Sequence, residues 1–306
     1  MYTPLRPGTC LDLPLRHMHY RVRTWGQPQA DTAPLVLLHG WMDVGASYQF
    51  VVDAFSEAFC RNRFIVAPDW RGFGHSSMPT PMEHYAFADY LADLEALLAH
   101  CVPDAASIDL VGHSMGGNIA MLYAGVRPHR IRRLVNLEGF GLPATQPAQA
   151  PARLAQWLDE LQALRQGRLQ LKPYASQAAV AERLRKTNPR LDADHALWLA
   201  GQWAAPDAQG QWHVLGDAAH KVVNPQLFRV DEMLAAYTAI TAPVLAIEAS
   251  QDSLARWWGP RFTLAQYHER LQSVADCRIV RIDDAGHMLH HDQPQQVAQH
   301  IETFLA

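Results

Sequence analysis

SIDLVGHSMGGNIAML, residues 107–122, is the stretch on which the fold turns. Ile108 to Val111 read as a short buried strand, and Gly117 to Leu122 as the opening of a helix. Between them stands Gly112-His113-Ser114-Met115-Gly116, a G-x-S-x-G sequence in the strand-to-helix context that gives the pattern its meaning. A strand that turns abruptly into a helix holds its turn residue in a strained conformation, and the flanking positions then need small side chains. Gly112 and Gly116 meet that need, so Ser114 is expected to stand clear of the sheet as a nucleophile. Its place at a helix N-terminus offers the Met115 N–H to a developing oxyanion.

Upstream, the apolar run in APLVLLHG (residues 33–40) ends at His39-Gly40-Trp41, where Gly40 lets the backbone face the same sheet edge; the Trp41 N–H is the expected second oxyanion donor. Downstream, Asp284-Ala285-Gly286-His287 follows the last strand-like run, and His287 is the expected general base. Imidazole can take and return a proton near neutral pH.

Strand-like runs recur at residues 17–26, 33–40, 64–70, 107–114 and 132–140, separated by helical stretches such as YAFADYLADLEALLAH. This alternation predicts a mostly parallel sheet covered by helices. From 141 to 237 the pattern is helical, with no convincing strand run, and reads as an inserted cap reached through the hinge-like 143–151. Strand runs resume at 242–250 and 276–287, and a closing amphipathic helix after Pro294 supplies Val297, Ile301 and Phe304. The expected division is therefore a core of 1–140 and 238–306 with a cap of 141–237.

HGW (39–41), DWRGFGHS (69–76), GHSMGG (112–117), VLAIEASQD (244–252) and DAGHMLHHDQP (284–294) resemble the successive motifs of the α/β-hydrolase family, in family order and across nearly the whole chain outside the cap. The resemblance implies an α/β fold with a mostly parallel central sheet covered by helices and an inserted helical cap. The cap is similar, less specifically, to that of the serine-hydrolase-like subgroup. In the family the triad acid usually follows the strand after the cap, which here implies Asp252; Glu138, at the end of RRLVNLEGF, competes, because a group of haloalkane dehalogenases takes its acid from that earlier strand. A serine nucleophile in place of aspartate argues against dehalogenase and epoxide-hydrolase chemistry.

These residues imply acyl transfer through an acyl-enzyme on Ser114, with ester hydrolysis as the default and no cofactor. Lactonase, thioesterase, C–C bond hydrolase, perhydrolase and acyltransferase reactions share the same residues, and a slow-turnover ligand-binding or signalling protein is the reading from another class. The single glycine before Trp41 resembles the tighter oxyanion loop of the family, a poor match for tertiary-alcohol esters. The apolar and aromatic content of the cap predicts a mainly hydrophobic pocket and a small hydrophobic ester as substrate.

A net charge of −4 with no basic block excludes an electrostatic footprint for nucleic acid or an anionic membrane. The first 14 residues carry no continuous apolar segment, and Cys10, Cys60, Cys101 and Cys277 are scattered without metal or redox spacing, so a cytoplasmic protein with reduced thiols is expected. His287, His290, His291 and Asp292 lack the H-E-x-x-H arrangement, so no metal is expected. The G-x-G around Phe73 has no third glycine in dinucleotide register, and Asp69 and Arg71 are expected to fix a structural turn. His39, His75 and His113 are expected to pack or hydrogen-bond, and Trp157, Trp198, Trp203 and Trp212 to form the core of the cap. Oligomeric state is not legible.

Overall fold

Short apolar runs make the strands: β1 (Thr9–Leu15), β2 (Met18–Trp25), β3 (Leu35–Leu38), β4 (Ile65–Pro68), β5 (Ile108–His113), β6 (Ile131–Leu137), β7 (Ala204–Pro206), β8 (Trp212–Val214), β9 (Val244–Ala249) and β10 (Cys277–Ile282). The computed structural model describes residues 2–29, 31–102 and 107–306; residues 1, 30 and 103–106, which fall within the expected first core segment, lie outside the described residues. Eight strands form one sheet in the order β1-β2-β4-β3-β5-β6-β9-β10. The β1–β2 and β2–β4 pairs are antiparallel and the rest are parallel.

β3, β4, β5 and β9 are buried along their whole length, as parallel strands covered on both faces must be. Alternation divides their side chains: Val36, Leu38 and Leu110 pack on one face, while Leu35, Leu37 and Val111 pack on the other. The first face is covered by helices Phe87–Cys101, Met115–Val126 and Val230–Thr238, the second by Gln49–Ala54 and Pro294–Leu305. Val297 and Ile301 of the closing helix are fully buried, as its periodicity predicts.

The sequence reading missed β1. Leu11, Leu13 and Leu15 alternate as a strand should, and Pro14 within it is tolerated because β1 is an edge strand. Between β6 and β9 lie helices Ala150–Arg165, Gln177–Thr187 and Ala193–Trp203; apolar residues of the last two, among them Val180, Leu184 and Leu199, cluster with Phe50. The expectation of no strand there is corrected by the antiparallel hairpin β7–β8. Its strands are three residues each, too short to show a period of two.

Candidate active site

Ser114 follows β5 and precedes helix Met115–Val126 with φ 52° and ψ −115°, a left-handed conformation that costs a non-glycine residue strain. Backbone packs against both flanking glycines. A Cβ on Gly112 would lie 2.3 Å from the Gly116 carbonyl oxygen, and one on Gly116 would lie 2.2 Å from that of Leu38. Ser114 N–H donates to Leu137 O at 2.8 Å, tying the turn to β6. The β3 loop runs close beside it: a Cβ on Gly40 would stand 3.2 Å from Ser114 Cβ, so the chain entering Trp41 skirts the hydroxyl. Trp41 is more than half exposed, while Met115 packs partly against the core.

His287 lies beyond β10 in the loop that returns to this edge. Its Nδ1 stands 3.3 Å from Glu138 Oε2, and the Glu138 carboxyl is almost fully buried. Glu138 directly follows β6 with φ 54°. Ala249 N–H donates to its Oε1 at 2.8 Å and Ser253 Oγ donates to its Oε2 at 2.9 Å. With a proton on Nδ1, the carboxyl meets three donors and Nε2 is left free to act as a base. Burial pushes Glu138 up to about 8 against the pull of the Ala249 and Ser253 donors, and burial pushes His287 down to about 3. Among the described residues no hydrogen bond joins Ser114 Oγ to His287.

Asp252, the first-named acid from sequence, is not brought to His287. It is exposed at the N-terminus of helix Ser253–Trp258, where its Oδ1 accepts from Ala255 N at 2.8 Å. An Asp followed by a helix start is a capping signal, and capping holds the carboxylate where the family pattern would need it free.

His113 lies between the two halves of the site. Its Nε2 is 2.7 Å from the His287 carbonyl oxygen, and the two rings are 4.7 Å apart. As expected of it, His39 is structural, with Nε2 accepting from Trp70 N–H at 2.8 Å. Asp69 accepts from Gly45 N and His75 N, and Arg71 pairs with buried Asp93 at 2.6 Å.

Asp43, His290 and His291 are fully buried, and one ligand atom from each lies within 4.8 Å of the others; among the described residues they are the group that could hold a metal ion. Asp43 Oδ1 accepts from Val44 N, Ser47 Oγ and Trp203 Nε1, while Oδ2 has no hydrogen-bond partner. Asp292, the other acid of the histidine-rich segment, is used elsewhere: it accepts from Gly286 N and Asn188 Nδ2.

A cavity of about 430 Å³ opens beside His287 between residues 186–190 of the helical insertion and the β9 and β10 loops. Lys186, Arg190, Gln251 and Arg256 line it together with Pro189, Trp257 and Met288, so the wall mixes cationic and polar groups with apolar ones. Its tryptophan, Trp257, stands edge-on to His287 at 4.4 Å and comes from the sheet side, while the insertion's four tryptophans lie elsewhere. The sequence reading missed Ser253, Arg190 and Trp257 because they are exposed or helix-end residues with no periodic or motif signal.

A family model described as "alpha/beta hydrolase fold" matches residues 33–294. Among curated proteins, the chain is 26% identical over 307 residues to a "Serine hydrolase-like protein" of Danio rerio, covering 99% of this chain and 90% of that one. It is 35% identical over 112 residues to a "2-hydroxy-6-oxo-2,4-heptadienoate hydrolase" of Pseudomonas putida, covering 36% of this chain and 38% of that one. Among solved structures, a "Thioesterase Domain From Curacin Biosynthetic Pathway" superposes with a TM-score of 0.77 at 25% identity, covering 97% of this chain and 99% of that one.

Proposed function

Because the chain belongs to the alpha/beta hydrolase family, we propose that it is a serine hydrolase acting on a carboxylic ester or related acyl compound through an acyl-enzyme on Ser114. The observation that carries this reading is the strained backbone of Ser114, fixed between two glycines that backbone contacts forbid from bearing a Cβ. Such strain persists only where surrounding structure enforces it, and here its effect is to present a hydroxyl.

In this reading His287 Nε2 takes the Ser114 proton as Oγ attacks the acyl carbon, and the N–H groups of Met115 and Trp41 receive the oxyanion. Glu138 acts as the acid: it holds the Nδ1 proton of His287 and stabilises the imidazolium. The protonated His287 then gives its proton to the leaving group, and water, activated by the same imidazole, releases the acid. Residues 1–140 and 238–306 form the core, and 141–237 is a cap whose 186–190 segment closes the substrate cavity. No step calls for a cofactor or metal.

Fluorophosphonate labelling read by mass spectrometry, with burst kinetics on 4-nitrophenyl esters, tests the reading. Modification at Ser114 and loss of turnover in Ser114→Ala are expected. A folded protein that neither labels nor turns over would overturn it.

A further inference from the structure

We propose that the cavity beside His287 is a subsite for a carboxylate carried by the substrate, so that the preferred substrate is an anionic acyl compound. The inference rests on the hydrolase reading above and specifies its substrate class.

Three cationic side chains converge on the cavity: Lys186 and Arg190 from the insertion and Arg256 from the helix after β9; no acidic side chain lines it. The carboxylates nearest this lining are Asp284, paired with Arg190, and Asp292, which accepts from Gly286 N and Asn188 Nδ2. A concave wall of one sign focuses the field, drawing in and orienting a ligand of the other sign. Arg190 is held in place by the exposed Asp284, 3.1 Å from its Nε, and by Gln251 Oε1, 3.3 Å from its Nη1. Among the described residues the Lys186 and Arg256 side chains make no hydrogen bond or ion pair, and both line the cavity.

The subsite adjoins the chemistry directly. Gly286 precedes His287, and a Cβ there would lie 2.9 Å from Gln251 Oε1, 3.4 Å from Arg190 Nη1 and 3.7 Å from Asp292 Oδ2, which places the Arg190 guanidinium beside the loop that carries the base. Ser253 both lines the cavity and donates to Glu138, so one wall of the subsite is also a wall of the acid's pocket. The volume suits a small molecule rather than a chain end of a polymer.

Matched substrate pairs test this. Mono-4-nitrophenyl glutarate against 4-nitrophenyl glutaramate places the carboxylate on the acyl side, and 4-acetoxybenzoate against 4-acetoxybenzamide places it on the alcohol side, with Ser114→Ala rates subtracted from each. The expected result is a kcat/KM about tenfold higher for the anionic member of one pair, as a charged hydrogen bond implies. That ratio should shrink with added salt, fall towards one in Arg256→Gln and be largely kept in Arg256→Lys. Equal or faster turnover of the neutral member in both pairs, with Ser114-dependent hydrolysis intact, overturns the subsite and leaves the hydrolase reading standing. If neither pair is hydrolysed, calorimetric titration of glutarate into the folded protein decides: binding that is lost in Arg256→Gln supports the subsite, and no binding overturns it.

Discussion

Glu138 Oε2 lies 3.3 Å from His287 Nδ1, and these residues are joined across the sheet edge although 149 positions separate them in the chain. His287 is thus held from the end of β6, the strand before the insertion, while the strand after it contributes the Ala249 N–H and the helix that follows contributes the Ser253 hydroxyl, which both bind the same carboxyl.

Replacing Glu138 by Gln therefore removes the acceptor that fixes the His287 tautomer. We expect kcat to fall about 10³- to 10⁴-fold, the scale seen when a triad acid becomes an amide. Asp252→Asn keeps a capping side chain and is expected to change kcat less than about threefold. Steady-state kinetics on a 4-nitrophenyl ester decide, and the reverse ranking would return the acid to Asp252.

The pH profile carries a second expectation. Catalysis needs His287 neutral and Glu138 ionised; burial holds His287 down to about 3, so it is already neutral, while Glu138 is raised to about 8. Activity should climb as pH rises through the neighbourhood of 8, the limb belonging to the pair. Stability runs the other way: a carboxyl raised by folding contributes stability that is present below its unfolded value near 4.5 and is lost as pH rises through about 8. The Tm of Glu138→Gln should gain on that of wild type across this window. A flat rate profile between pH 6 and 9, roughly the range over which the pair should ionise, would contradict this assignment.

The elbow glycines give a third. Gly116→Ala would drive a methyl to 2.2 Å from the Leu38 carbonyl oxygen, which cannot move without breaking β3; a loss of about 3 kcal/mol or more is expected. Gly210→Ala, at φ +78° with open space around it, pays only for the left-handed backbone, about 1–2 kcal/mol. Denaturant unfolding of the two variants should separate them in that order.

Trp203 offers a fourth, in the contact between insertion and core. Its Nε1 donates to buried Asp43 Oδ1 at 2.8 Å, and burial already pushes Asp43 up to about 6. Trp203→Phe leaves that oxygen with fewer donors and is expected to cost about 1–3 kcal/mol. Thermal unfolding near pH 7, where the shortage of donors to the carboxylate is greatest, is the measurement; an unchanged Tm would mean that the bond carries no weight.

The central strands, the elbow and the late histidine were legible because each rests on local pattern: apolar runs buried on both faces, glycines where a Cβ would strike backbone, and a loop just past a strand. The acid was not. Glu138 and Asp252 each follow a strand that ends at the same sheet edge, and the choice between them depends on side-chain direction: Asp252 turns to cap its own helix, whereas Glu138 turns inward under Ala249 and Ser253. The lining of the cavity beside His287 was not legible for a related reason. Aromatic residues in the insertion pointed to an apolar pocket, but Trp198 packs on Tyr2 and Phe50, Trp157 stands edge-on to His84 and Trp203 bonds to buried Asp43, while the insertion residues that line the cavity beside His287 are the end of a helix and the turn after it, positions 186–190. The hairpin β7–β8 escaped for want of length.

The exit from β6 is clamped by one side chain. Asn136 Oδ1 accepts from Gly139 N at 2.9 Å while its Nδ2 donates to Gly139 O at 3.0 Å and to Tyr267 Oη at 3.2 Å. A single side chain thus clamps both backbone groups of the residue that follows Glu138, and the clamp is anchored to a core helix. We expect this clamp to shield the carboxyl from changes in the segment that begins at Gly141. Lids of different length and shape can then be grafted downstream of this clamp without retuning the acid, which makes the insertion an exchangeable part and the residues before it a fixed mount.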